Sequence, residues 1–334
     1  MIYRAAGRSG LLLSRLIVGS TMFGELMRED EAKAVLHRAW DLGAHSIDTG
    51  DIYAGSRSEE MIGRLIAGRR DRVVLCTKVG FRVGDKPEDH ARAVMGTLDH
   101  AERWTRGIAP HDQGLSRHHI VSAVEDSLRR LGTDYIDLYQ MHRWDPLVPV
   151  EETLRALEDL IRSGKVRYIG CSNARSWQLY ESLWTSDVKG LPRFETMQAP
   201  YSMMAREPEA DLFPACAHAG VGVIAYSTLA GGALSGAHDA GIKPNSVMAQ
   251  RPAYQQRYLA PANLERLDRF GKLAQDLGKD QTGLALAAVL QHPAVIAATV
   301  GMQTPEEVDL LAAAASEPLD AATYDAIRAI FSAG

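Results

Sequence analysis

Four residues of this chain set reactive chemistry in unusual places. Asp48, Tyr53, Lys78 and His142 fall at or just beyond the ends of three short apolar runs, in Ile47-Asp48-Thr49-Gly50-Asp51-Ile52-Tyr53, Cys76-Thr77-Lys78 and Tyr139-Gln140-Met141-His142. A lysine inside an apolar strand needs a counter-charge, because an unpaired ammonium in a low-dielectric interior is strongly unfavourable. Asp48 on the neighbouring run is the candidate. If Tyr53 is brought against that ammonium, phenolate is stabilised and the phenol pKa falls from its reference of about 10, giving a proton donor and acceptor near neutral pH. His142 could hydrogen-bond the same substrate oxygen. Together the four suit proton transfer to a carbonyl oxygen that gains negative charge. Each alone has a plainer reading: a Lys–Asp pair is usually structural, a loop tyrosine usually packs, and a single histidine usually sits satisfied in a core. Their concurrence at successive strand ends singles them out.

The elements that must position them follow one rhythm, a short apolar run, a polar turn and an amphipathic segment, which is the signal of βα units around a parallel sheet. Strands are expected at 16–19, 46–49, 73–79, 136–141, 166–171, 196–199, 222–227 and 296–301, with helices at 29–42, 58–66, 117–131, 150–163, 176–184, 208–219, 282–291 and 305–314. Further helices are expected at 265–277 and 321–331, and Gly43, Gly132 and Gly220 stand where helices should stop. Eight units favour closure into a (β/α)8 TIM barrel, a single domain over 1–334. Residues 1–14 read as an N-terminal β-hairpin plug outside the repeat. The long segments 81–116 and 228–261 follow strand C-termini, so they are expected to overhang the active face.

Composition removes other classes. The 334 residues carry 37 basic and 42 acidic side chains for a net charge of −5, without a like-charged tail, so nucleic acid is not an expected partner. No apolar run approaches the roughly 18 residues of a membrane helix and no signal-peptide core is visible, so no membrane partner and a cytoplasmic location are expected. Three scattered cysteines, Cys76, Cys171 and Cys216, make neither a disulfide framework nor a metal site. Gly220-Val221-Gly222-Val223-Ile224-Ala225 has the letters of a dinucleotide fingerprint, but it runs from a turn into a strand and is discarded. His118-His119 is expected to open an exposed helix, and no metal is expected.

Over nearly its whole length the chain resembles the aldo-keto reductases. The resemblance is carried by Ile47 to Tyr53, Thr77-Lys78-Val79, Gly114-Leu115-Ser116-Arg117, Leu131-Gly132-Thr133-Asp134-Tyr135 running on to His142, Gly170-Cys171-Ser172-Asn173 and Ile224-Ala225-Tyr226-Ser227. It implies a barrel that reduces the carbonyl of a small-molecule aldehyde or ketone with a nicotinamide dinucleotide, NADP(H) by family habit. It also implies roles. Tyr53 would protonate the carbonyl oxygen, Lys78 would depress the tyrosine pKa, Asp48 would hold the lysine and His142 would orient the substrate. Ser172, Asn173 and Gln198 would hold the nicotinamide carboxamide and Tyr226 would stack on its ring. Ser227, Leu229 and Gly231 would line the pyrophosphate, and Gly301, Gln303 and Glu307 would lie at the far end of the nucleotide. Phe23, Trp144 and Tyr201 are the expected apolar lining of the substrate pocket.

The chain departs from the family after its eighth strand. Relatives specific for a 2′-phosphate commonly place an arginine where this chain reads Gly301-Met302-Gln303-Thr304-Pro305-Glu306-Glu307, and Glu306 and Glu307 would repel a phosphate, so NAD(H) is admitted. Leu310-Leu311 replaces a Glu-Asn pair often found near adenine. Two other readings stay open: an NAD-dependent sugar or alcohol dehydrogenase on the same scaffold, and a nicotinamide-sensing regulatory subunit like those of potassium channels. No motif assigns an oligomeric state.

Overall fold

A computed structural model describes residues 1–81, 111–239, 241–244 and 246–332. Most of the long 81–116 segment lies outside them. The chain begins with an antiparallel pair, β1 (Tyr3–Ala5) and β2 (Leu12–Ser14), and continues through β3 (Leu16–Gly19), α1 (Glu29–Asp41), β4 (Ser46–Asp48), α2 (Arg57–Ile66) and β5 (Val74–Val79). Then come α3 (Arg117–Leu131), β6 (Ile136–Met141), α4 (Val150–Arg162), β7 (Val166–Ser172), α5 (Ser176–Lys189), β8 (Thr196–Pro200), α6 (Leu212–Ala219) and β9 (Gly222–Tyr226). The remainder is α7 (Val247–Gln250), α8 (Pro252–Tyr258), α9 (Pro261–Asp276), α10 (Gln281–Gln291), β10 (Val295–Val300), α11 (Pro305–Ser316) and α12 (Ala321–Ile330). Strands β3 to β10 close into a barrel in the order β10-β3-β4-β5-β6-β7-β8-β9, the (β/α)8 architecture.

The chain divides into two compact units, 19–33 with 46–197, and 1–18 with 34–45 and 198–334. In the first, β4, β5, β6 and β7 pair in parallel with Asp48 opposite Cys76, Lys78 opposite Gln140, and Gln140 opposite Gly170. Nearly every residue of these strands is buried, as a parallel sheet covered on both faces requires. The covering helices are amphipathic. On α4, Leu154, Leu157 and Leu160 turn inward, while Glu151 pairs with Arg155 and Glu158 with Arg162 on the outer face. Helix α3 begins where Ser116 Oγ accepts from the His119 amide and stops at Gly132, whose φ of 60° is the left-handed cap expected of glycine.

In the second unit β10 pairs in parallel with β3 and β9. The β1–β2 hairpin sits against the N-terminal end of β9, where a Cβ on Gly222 would come 3.0 Å from the Gly7 nitrogen. Gly220 caps α6 and Gly222 opens β9, so the glycine pair belongs to an ordinary helix-to-strand turn.

Three expectations are adjusted. Helix α5 runs to Lys189, past the expected end at 184. The 208–219 helix is split into a 3-10 turn, Glu207–Ala210, and α6. His119 is buried on the inner side of α3, not exposed, and burial lowers its pKa.

Candidate active site

The C-terminal ends of β4, β5 and β6 bring the four expected groups together within one unit. Asp48 ends β4, Lys78 is the penultimate residue of β5, and His142 follows β6 with its amide donating to Val79 O at 2.8 Å. Lys78 is fully buried. Its ammonium has three protons and three acceptors: Asp48 Oδ2 at 2.6 Å, Thr49 O at 2.7 Å and Tyr53 Oη at 3.0 Å. The second Asp48 oxygen accepts from Gln140 Nε2 at 3.3 Å. Burial alone would pull the lysine pKa down, but the Asp48 carboxylate and the Tyr53 phenol outweigh it and carry it above its ordinary value. The group is a fixed cation.

Tyr53 reaches this cation because the chain turns sharply after β4. Ala54, Gly55 and Ser56 all adopt left-handed backbone, with φ of 50°, 66° and 71°, and Ser56 Oγ closes the turn on Asp51 O at 2.9 Å. Beneath it Ser58 Oγ donates to Ser20 O at 3.0 Å, tying the start of α2 to the loop after β3. The Tyr53 and His142 rings meet edge-on at 5.8 Å, and Phe81 packs edge-on to His142 at 4.7 Å. Burial first, then the positive charges of Lys78 and Arg143, hold His142 well below the usual histidine pKa. It stands there as a neutral imidazole with Nδ1 buried and without a partner among the described residues.

Of the residues expected at a cofactor, Ser172 ends β7 and is buried. Asn173 follows in left-handed conformation, and its Nδ2 donates to His142 O at 2.9 Å and to Ser172 Oγ at 3.0 Å. In the other unit Gln198 is buried in β8 and Tyr226 ends β9 partly exposed. Ser227, Ala230, Gly231 and Gly232 all have positive φ, and the Ala230 and Gly232 amides donate within the turn to Ser227 O and Leu229 O, each at 2.9 Å. Leu229 opens the 3-10 helix Ala230–Ser235 there, and Ser227 Oγ lies 3.1 Å from Tyr254 Oη. Gly301 and Gln303 are exposed beyond β10. The Glu307 carboxylate folds back to accept from the Gln303 amide at 2.7 Å, and Thr304 Oγ1 accepts from the Glu307 amide. Glu307 thus occupies the helix N-terminus with its own negative charge.

The substrate-lining expectation needs correction at two of three positions. Tyr201 has no exposed surface: it packs edge-on against Phe213 and His292, and its hydroxyl donates to Glu209 Oε1 at 2.7 Å. Glu209 is in turn held by Arg206 and Arg328. That tyrosine serves a structural cluster. Phe23 is likewise fully buried and presents no surface to a ligand. Trp144 remains partly exposed two residues beyond His142, its ring edge-on to Trp177 at 5.9 Å.

Sequence reasoning missed three contributors. Gln140 supports Asp48 from its second oxygen. Gly170, opposite Gln140 in the register, leaves it room, since a Cβ there would lie 3.2 Å from Gln140 Cγ. A Cβ on Gly50 would press on the Tyr53 ring at 3.2 Å while meeting the His142 ring at an ordinary 3.5 Å, so the space around the Tyr53 ring depends on there being no side chain at Gly50. Gly50 stands inside the motif that marks the site, and its closeness to the Tyr53 ring gives it a reason to be there.

Comparison with known proteins places nearly the whole chain among relatives. The model of the aldo/keto reductase family matches residues 15–331. The chain is 35% identical over 316 residues to an uncharacterized oxidoreductase, YrpG, of Bacillus subtilis, covering 92% of this chain and 89% of that one. It is 33% identical over 321 residues to versiconal hemiacetal acetate reductase of Aspergillus parasiticus, covering 92% and 91%. With a putative aryl-alcohol dehydrogenase of Schizosaccharomyces pombe it shares 38% identity over 257 residues, 72% and 70% of the two chains.

Proposed function

Because the chain belongs to the aldo/keto reductase family, we propose that it reduces an aldehyde or ketone carbonyl with a nicotinamide dinucleotide and that Tyr53 supplies the proton. The observation that carries this reading is the buried Lys78 ammonium, anchored by Asp48 and donating to Tyr53 Oη at 3.0 Å. The tyrosine oxygen accepts from lysine at 3.0 Å, which sets a fixed positive charge beside the oxygen that would hand its proton to the substrate. As that proton leaves, the adjoining cation stabilises the phenolate. Neutral His142 donates a ring N–H to the same oxygen without competing as an acid. Asp48 does not transfer a proton; it keeps the ammonium charged and aimed.

Ser172, Asn173 and Gln198 would hold the carboxamide, Tyr226 the nicotinamide ring, and Ser227, Leu229 and Gly231 the pyrophosphate. When bound, the nicotinamide supplies hydride to the carbonyl carbon. Asn173 also supports the His142 carbonyl through its side chain, so a residue assigned to the nucleotide holds the backbone of one assigned to the substrate. Trp144 is the proposed apolar wall, and an aryl aldehyde is a suitable first substrate because one relative is described as an aryl-alcohol dehydrogenase.

One observation favours a second reading of cofactor and direction. Glu307 takes the Gln303 amide, and no cation occurs from Gly301 to Glu307, so a 2′-phosphate there meets a carboxylate and NAD(H) is the better fit. An NAD-dependent dehydrogenase working oxidatively is then the companion reading.

Tyr53→Phe tests the main reading. It should bind nucleotide as the parent does, with turnover of an aryl aldehyde lowered by about 10² to 10⁴-fold. Unchanged turnover removes Tyr53 as the acid. Parallel titrations with NADH and NADPH test the nucleotide, and a single slow turnover on tightly bound nucleotide would instead support the sensing subunit.

A further inference from the structure

Helix α5 leaves large apolar groups in solvent where its neighbour α4 places ion pairs. Leu179 and Leu183 face inward, whereas Trp177, Tyr180, Trp184 and Val188 are 55%, 39%, 67% and 58% exposed. Spacings of three, four and four residues place them along one stripe of the helix. The Trp144–Trp177 contact extends this aromatic surface toward the loop after β6.

We propose that this stripe is the isologous interface of a homodimer, its occupant the same face of a second copy. Area supports that choice. With roughly 150–250 Å² available per large aromatic side chain, the stripe offers on the order of 450 Å² of apolar surface. A standard interface buries about 800 Å² per partner, a little over half of it apolar. Charge supports it too. The exposed flanks carry Arg175 and Lys189 against Glu181 and Asp187, two of each sign. Such a face neither repels its own copy nor draws a strongly charged partner or an anionic lipid surface. Tryptophan and tyrosine are also the residue types that dominate binding energy at such contacts. The inference rests on α5 alone, independent of the proposed chemistry, and its test is read by mass instead of turnover.

Sedimentation velocity of the full chain over about two decades of micromolar concentration should show twice the chain mass at the upper end. Trp184→Glu should raise the dimer dissociation constant by roughly 30-fold or more, with an unchanged circular dichroism spectrum because the side chain is mostly in solvent. Trp177→Glu provides an independent second variant. The native cysteines are all buried, so Glu181→Cys adds an accessible thiol near the middle of the stripe. Oxidation should give a covalent dimer, since residues near a two-fold axis approach their own copies. A monomer at every concentration overturns the proposal, as does a dimer that neither Glu variant weakens or that Glu181→Cys fails to cross-link. Monomer that co-sediments with phosphatidylcholine–phosphatidylglycerol vesicles, but loses this in Trp184→Glu, assigns the stripe to a membrane and also overturns it.

Discussion

Two buried ion pairs flank the same strand, and they do different things. On one face of β5, Lys78 pairs with Asp48 at 2.6 Å; on the other, Thr77 donates at 2.6 Å to Glu59, which pairs with Arg130 at 2.7 Å between α2 and α3. Strand alternation alone sends the two side chains to opposite sides. Each pair neutralises a charge that would be costly to bury singly. The difference lies in where the remaining hydrogen bonds go. Arg130 adds Ser127 and Glu59 adds Thr77, so that network stays among structural groups. Lys78 adds Thr49 O and the phenol of Tyr53, a group that can give up a proton. On the proposed function, what separates the two pairs is the third partner, not burial or length.

Breaking each pair separately tests this contrast. Lys78→Met should lose turnover by roughly 10³-fold, within the range for general acid–base groups, and should also unfold more easily because Asp48 is left buried and unpaired. Arg130→Met should cost about 2–4 kcal/mol in denaturant unfolding yet keep kcat within about threefold when folded; an equal loss of turnover in both would erase the distinction. Gly50→Ala touches neither pair but crowds the Tyr53 ring. Turnover should fall about 10- to 100-fold, with stability nearly preserved.

The effect least tied to turnover concerns Asp51. Its carboxyl oxygens are buried with no close hydrogen-bond donor among the described residues, and burial, then Glu59, push its pKa well above the usual carboxylate range. The folded state therefore holds this proton at pH values where the unfolded chain has released it. Stability contributed by the group is full below the unfolded value of about 4 and is lost as pH rises through the folded pKa. Asp51→Asn should therefore gain on the parent as pH rises from 4 to 8, by at most about 1.4 kcal/mol per pH unit. Parallel unfolding curves across that range would show that Asp51 is ionised in the fold.

The sequence made legible whatever depends on residue type at a strand end. Asp48, Lys78 and His142 stood out because charged or basic groups are rare there, and Tyr53 followed from its place in the same motif. Gln140 was hidden because its role depends on lateral register, on standing opposite Gly170 and within reach of Asp48. Phe23 and Tyr201 were misread because an aromatic residue in a loop after a strand can turn either to a pocket or to the core, and type alone does not decide. Helix α5 also outran its expected end at 184: it runs on through Thr185-Ser186-Asp187, where Thr185 Oγ1 donates to Glu181 O and Ser186 Oγ to Pro192 O, contacts that residue type alone does not announce.

The full hydrogen-bond shell of Lys78 limits what the rim can attract. An ammonium with no proton to spare is a poor hook, so an incoming carboxylate finds no hydrogen-bonded salt bridge at Lys78. On the proposed reading, recognition at this rim falls to the phenol and imidazole, groups suited to an uncharged oxygen, while the sequestered ammonium itself gives an acidic ligand little hold.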